Sequence, residues 1–263
     1  MVSFDVESLF TIVPVNETIQ LILDKLFPDN DTIFNGFNRQ DFKKLLDLAV
    51  QDTVFLFNDK AYTQIDGMAM GSPLGPIFAG IFMSSLEEYM LDNCPLQYHP
   101  LFYKRYVDDT FALFKTNFDA ERFLTFINTL HPNIKFTIEY ENNDQLPFLD
   151  ILVTRHQEGF STSVYRKQTF TGSGTNFYSF CFFNFKLNSL MTLLHRALTH
   201  TSNWQAFHEE IAFLRNHFVN NCFPSALFHK SVHKFLNNVF IPRHPIHTVQ
   251  KNAFLCEPTF YSQ

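Results

Sequence analysis

No apolar run in this sequence reaches the roughly 18 residues that a membrane-spanning helix needs, so no membrane partner is expected. No secretory leader is legible at the start, because Asp5 and Glu7 fall where an apolar stretch would have to begin. The four cysteines, Cys94, Cys181, Cys222 and Cys256, are far apart and form no Cys-x-x-Cys pair. Free buried thiols in a reducing compartment are therefore expected, rather than a disulfide framework or a zinc site. Nucleus or cytoplasm follows as the compartment. No internal repeat is visible. Net positive charge, the usual mark of a nucleic-acid partner, is also missing, since the formal charge is −6.

The distribution of charge changes that last impression. Residues 1–150 hold 22 Asp/Glu against 10 Lys/Arg, whereas residues 151–263 hold 4 against 10, with nine of the eleven histidines. An acidic front and a basic rear suit metal chemistry in one part and phosphate contact in the other. A hydrophobic content of 46% excludes a disordered tail. Phe, at 34 of 263 residues, falls in alternating or helical patterns and reads as packing.

Periodicity organises the chain into an α+β part followed by a small helical part. The opening Val2-Ser3-Phe4-Asp5-Val6 reads as a buried strand ending on an acid. Helical spacing follows over 16–27 and 39–50, then a hairpin over 53–64 with its turn at Asn58-Asp59-Lys60. The Gly- and Pro-dense DGMAMGSPLGP leads into a helix over 77–91. Residues 102–114 read as a hairpin with Asp108 and Asp109 at its turn, and 119–130 as a helix stopped by His131-Pro132. Strands are expected over 134–140, in LPFLDILVT and in FSTSVYRK. Beyond the polar connector TFTGSGTNF, helices are expected over 186–201, 204–220 and 225–240, and then a loose tail. His229, His233, His244 and His247 have spacings that could bind metal, but without a cysteine or acid beside them they read as surface histidines.

Asp5 at a strand end and Asp108-Asp109 at a hairpin turn could meet if their strands are neighbours. Nucleotidyl transfer by two metal ions needs such a meeting point, because Mg²⁺ demands hard oxygen ligands from separate elements. An Asp-Asp turn taken alone is as well explained by a solvated loop.

The surrounding residues point further. Tyr106-Val107-Asp108-Asp109 resembles motif C of reverse transcriptases. DVESLF (residues 5–10) resembles motif A, an acid followed five residues later by an aromatic, and DGMAMGSPLGP (residues 66–76) resembles motif B. The three occur in that family's order. The wording SFDVESLFTIVP, MGSPLGP, IKFTIE followed by LPFLD, and VYRKQTFTG is closer still to Penelope-like retroelements, over roughly residues 2–223.

The resemblance implies a reverse-transcriptase palm, an antiparallel sheet with helices on one face, followed by an all-α thumb. It makes Asp5 and Asp108 the principal ligands of two Mg²⁺ or Mn²⁺ ions, with Asp109 as a supporting carboxylate. Phe10 becomes the steric gate beneath the incoming sugar, selecting deoxynucleoside triphosphates. Gly71, Ser72 and Pro73 let the backbone approach the nucleotide closely. Met70 stands where many reverse transcriptases carry Gln, which puts that contact in doubt. Lys135 is a candidate general acid for the leaving pyrophosphate, with an exposed strand lysine as the alternative. LPFLDI (residues 146–151) resembles the primer grip. Arg166, Lys167, Lys186, Arg196 and Arg215 are candidates to hold the RNA or DNA template and its primer by their phosphates. Residues 169–223 also resemble a segment described as helix-turn-helix in animal proteins of this kind.

The organisation expected is a palm over 1–167 carrying motifs A to E, a thumb or helix-turn-helix-like region over 168–240, and a tail over 241–263. No fingers segment is recognisable before motif A, so low activity is expected of the chain alone, because phosphoryl transfer depends on positioning and charge neutralisation. No GIY-YIG endonuclease or RNase H pattern is recognisable either. Three functions remain open at this point: a reverse transcriptase, a non-catalytic nucleic-acid-binding protein, and an inert retroelement fragment. Protein partners are not legible.

Overall fold

Val2, Phe4 and Val6 are buried while Ser3 and Asp5 are not, the period of two of a strand with one covered face. In the computed structural model, which describes residues 1–29, 31–50 and 54–240, this segment is β1 (Val2–Val6). After it come α1 (Leu9–Ile12), α2 (Val15–Leu26), α3 (Arg39–Val50), β2 (Val54–Phe57), β3 (Lys60–Thr63) and α4 (Gly75–Asn93). The hairpin β4 (Phe102–Tyr106) and β5 (Asp109–Leu113) precedes α5 (Asn117–Leu130), β6 (Phe136–Tyr140), β7 (Gln145–Phe148), β8 (Ile151–His156) and β9 (Gly159–Val164). Three helices follow: α6 (Phe183–His200), α7 (Trp204–Asn220) and α8 (Ser225–Phe240). The tail over 241–263, with His244, His247 and Cys256, lies outside the described residues. The fold class is α+β with antiparallel sheets, and the chain divides into a unit Met1–Tyr165 and a second unit from Arg166 on. No described helix is long and apolar enough to cross a membrane.

In the first unit the main sheet has the order β4-β5-β1-β6. Its covered face presents Val2, Phe4, Val6 and Ala112 to Phe82, Met83 and Met90 of α4 and to Ala120, Phe123 and Ile127 of α5. Each fully buried large side chain here contributes about 1.5–3 kcal/mol. The Phe4 and Phe123 rings meet at 5.6 Å. Helix α5 begins where Thr116 accepts the Asp119 N–H at 3.1 Å, an N-cap that the serine-or-threonine rule accounts for. A second cluster, with Ile19, Leu23, Phe27, Met68 and Phe78, joins α2 to the start of α4.

The hairpin β2–β3 turns at Asn58-Asp59, both with positive φ (50° and 59°), so Lys60 belongs to the strand and not to the turn. LPFLDILVT is not one strand. It breaks at Leu149-Asp150, where Leu149 takes φ 54°, and β7, β8 and β9 make a separate three-stranded sheet. The second unit packs α6, α7 and α8 around Leu190, Leu194, Phe207, Phe218, Phe228 and Phe235. Of the cysteines expected to be buried, Cys94 is, while Cys181 and Cys222 are exposed.

Candidate active site

The open face of the main sheet carries the acids. Register pairs Ser3 with Phe111 and Phe4 with Thr110, so one step further along the antiparallel ladder Asp5 faces Asp109. Strand alternation puts Ser3, Asp5, Asp109 and Phe111 on the face away from the helices. On the other side of β1, Asp5 pairs with Thr137, and the Glu7 N–H donates to the Lys135 carbonyl (3.0 Å). Lys135 is exposed between buried Ile134 and Phe136, and so shares the open face with Asp5.

Asp108 sits in the two-residue turn Val107-Asp108, closed by the pair Tyr106–Asp109. Partial burial holds the Asp5 carboxyl above the ordinary aspartate range, and the charge of Asp108 pushes it further the same way. Asp5 and Asp108 thus feel each other, the electrostatic condition that a bound cation relieves. Among the described residues no three acidic, histidine or cysteine side chains form a complete metal cage. A carboxylate pair still fits Mg²⁺, which is usually held by one or two carboxylates together with substrate phosphates.

The acidic turn is braced from behind. Val107, a β-branched residue, is held at φ 58° at the turn position where glycine is favoured. Arg105 Nη1 donates to the Val107 carbonyl (2.9 Å), and Arg105 Nε donates to Glu87 Oε1 on α4 (2.7 Å). The Tyr103 hydroxyl donates to the same Glu87 oxygen at 2.9 Å, and burial followed by the Glu87 charge keeps that phenol well above its ordinary pKa. The Arg105 and Glu87 side chains are only 13% and 15% exposed. Arg105→Met is therefore expected to strand a buried carboxylate and to cost about 3 kcal/mol in a denaturant titration. The cost should shrink when Glu87→Gln is added, because the two residues are coupled.

The motif B segment is tied to motif A through backbone. The Met68 N–H donates to the Phe10 carbonyl (2.6 Å), and Asp66 Oδ1 accepts from the N–H groups of Val15 (3.2 Å) and Gly67 (2.8 Å). A Cβ on Gly67 (φ +78°) would collide with the backbone of Thr11, whereas one on Gly71 (φ +92°) would meet nothing within 4 Å. Gly67, which sequence reasoning passed over, makes the close packing inside the fold, and Gly71 faces open space. Gly67→Ala is expected to cost roughly 2–4 kcal/mol and Gly71→Ala only about 1–2 kcal/mol, from backbone strain alone. Chemical denaturation of both variants checks the contrast.

Phe10 lies half-buried on α1, its ring edge 3.6 Å from where a Cβ of Gly75 would stand. Met70 and Pro73 are exposed, and Ser72, half-buried, accepts the Leu74 N–H (3.3 Å) just before α4. Phe148 of β7 stacks edge-on against Phe111 at 5.6 Å, so the β7–β8 hairpin borders the acid-bearing face.

The basic candidates divide. Arg166 makes a bidentate pair with Glu210, with its guanidinium 3.7 Å from the centre of the Phe213 ring. Lys186 is buried and donates to the carbonyls of Phe177 (2.6 Å) and Ser179 (2.8 Å). Both charges are occupied inside the second unit, where they hold its own loops. Lys167 and Arg215 are exposed and Arg196 is half-buried.

Residues 175–234 match the family model of the animal helix-turn-helix domain. No curated protein matches the chain. Among solved structures, telomerase from Candida albicans in complex with a TWJ fragment of telomeric RNA is similar at a TM-score of 0.60 and 12% identity, over 90% of this chain and 44% of that one. Apo telomerase from Candida tropicalis truncated from its C-terminal domain aligns at a TM-score of 0.47 and 14% identity, over 58% of this chain and 33% of that one. The chain spans less than half the length of these telomerases. The likeness to the Candida albicans protein is one of fold.

Proposed function

We propose that the chain is the palm and thumb of a reverse transcriptase from a Penelope-like retroelement, adding deoxynucleotides to a primer 3′-hydroxyl on an RNA template. One observation carries this reading. Asp5 on β1 lies beside Asp109 at the start of β5 and Asp108 in the adjoining turn, at the open face of an antiparallel sheet, where repulsion from Asp108 helps raise the Asp5 carboxyl. The polymerase-like fold shared with telomerase, itself a reverse transcriptase, adds support.

In this reading Asp5 and Asp108 hold two Mg²⁺ or Mn²⁺ ions, and Asp109 supports them. Such ions, when bound, lower the pKa of the attacking hydroxyl and neutralise the developing phosphate charge. The chain's own groups do the rest. Phe10 bounds the sugar, and Met70, Gly71, Ser72 and Pro73 form the surface beneath the base and nucleotide. Lys135 gives a proton to the departing pyrophosphate, and Lys167 and Arg215 contact backbone phosphates. Residues 1–167 form the palm and 168–240 the thumb.

Primer extension on an RNA template tests the reading, comparing deoxy- with ribonucleotides and wild type with Asp108→Asn. Metal-dependent extension with deoxynucleotides that the substitution abolishes is the expected result. A second reading, nucleic-acid binding without catalysis, is favoured by the helix-turn-helix match over 175–234. It requires salt-dependent binding that Asp108→Asn leaves intact and no extension by wild type.

A further inference from the structure

We infer that Arg105 is a positioning residue for the acidic turn: anchored to Glu87 and Ser84 of α4, it fixes the Val107 peptide and so sets how Asp108 presents its carboxylate to a divalent cation. The inference rests on the metal-binding reading of Asp5 and Asp108, and it adds a group that lies behind the turn rather than in the site.

The turn does not hold its own shape. Val107 and Asp108 alone join β4 to β5, and Val107 is left-handed (φ 58°) while Asp108 is not. That is the pattern of a type II′ turn, whose first central position is normally glycine. A β-branched side chain resists that conformation. The competing two-residue turn, type I′, differs by a flip of the peptide between the two central residues. It would bring Asp108 to positive φ, which aspartate tolerates, and would aim its carboxylate elsewhere. The Val107 carbonyl belongs to that central peptide, so the group that holds this oxygen decides between the two turns.

Arg105 holds it. Nη1 donates to the Val107 carbonyl (2.9 Å), Nε to Glu87 Oε1 (2.7 Å) and Nη2 to Ser84 Oγ (3.4 Å). A guanidinium presents these donors in one rigid plane, whereas an ammonium on a flexible stem does not. The anchor is itself fixed, because Glu87 Oε1 also accepts from the Tyr103 hydroxyl (2.9 Å). Helix α4 begins at Gly75, just after Gly71, Ser72 and Pro73. Arg105 therefore ties the turn to the helix into which the proposed nucleotide surface leads, and the two sides of the site keep one geometry.

The test is Mn²⁺ binding to the full chain, read from the loss of the free-ion electron paramagnetic resonance signal, with no turnover required. Arg105→Lys keeps a cation beside Glu87 but loses the fork, and should weaken binding about 10-fold, at the low end for groups that orient metal ligands. Adding Val107→Gly should restore most of that affinity, because glycine takes the left-handed conformation without a brace. A general loosening of the fold would not be repaired in this way. Glu87→Gln keeps an oxygen for Arg105 and Tyr103 to donate to, so it should weaken binding by less, and it carries the same comparison if Arg105→Lys does not fold. Asp108→Asn should remove the binding. Wild-type Mn²⁺ affinity in the brace variants, or a loss that Val107→Gly fails to repair, would overturn the inference while the effect of Asp108→Asn leaves the metal site standing. Mn²⁺ binding that Asp108→Asn does not alter would overturn the metal site and this inference with it.

Discussion

Asp108→Asn is expected to leave a folded protein whose primer extension falls by at least about 10³-fold, on the order of 4 kcal/mol of transition-state stabilisation. The change keeps the side chain's size and its place in the turn between β4 and β5, and it removes only the charge. Asp5→Asn should lose as much activity, with a second signature that separates a metal-binding acid from a structural one. Burial, then the Asp108 charge, raises the Asp5 carboxyl in the folded chain. A group raised in this way favours the fold when protonated, and that contribution is lost as pH rises through its folded-state pKa. Replacing Asp5 with Asn therefore relieves a penalty present only on the alkaline side. Asp5 is exposed, so after solvent screening the gain in the metal-free protein is a few tenths of a kcal/mol. Denaturant midpoints should show the variant ahead of wild type at neutral pH and level with it in acid below about 4. An Asp5 that served the fold would behave the opposite way, and Asp108→Asn extending at the wild-type rate would remove the catalytic assignment.

The placement of the acids was legible because strand alternation and a hairpin turn leave direct marks in sequence, as do the helical periods of α3, α7 and α8, whereas only the resemblance to motifs A and C singled those acids out. The partner strands of β1 were not legible. β5 lies about a hundred residues away, and only the register of Phe4 against Thr110 brings Asp5 to the turn. Gly67 and Gly71 look alike as letters. Their difference lies in what stands beside each, the Thr11 backbone in one case and open space in the other. The break in LPFLDILVT went unseen because Leu149 adopts a left-handed turn with none of the usual glycine or asparagine. Arg166 and Lys186 read as candidate phosphate contacts because sequence does not reveal that Glu210 and two loop carbonyls lie within reach.

Phe10→Val is expected to open the chain to ribonucleotides, raising the ratio of ribo- to deoxynucleotide incorporation by about 10²-fold. A 2′-hydroxyl is a small group, and a site that merely lacks room for it discriminates through steric overlap, which is sharp when the obstructing atom cannot move. Phe10 meets that condition. It sits on a single helical turn, its carbonyl is fixed by the Met68 N–H, and its ring edge lies against Gly75 at the start of α4. The ring also packs on the core of the first unit, so its truncation should cost about 1–3 kcal/mol of stability as well. That loss alone lowers the amount of active protein and reduces incorporation of both sugars equally. A gate changes their ratio. Competition between the two nucleotides in one reaction reads the ratio directly, free of the active fraction, and a ratio unmoved by Phe10→Val would leave Phe10 as a packing residue.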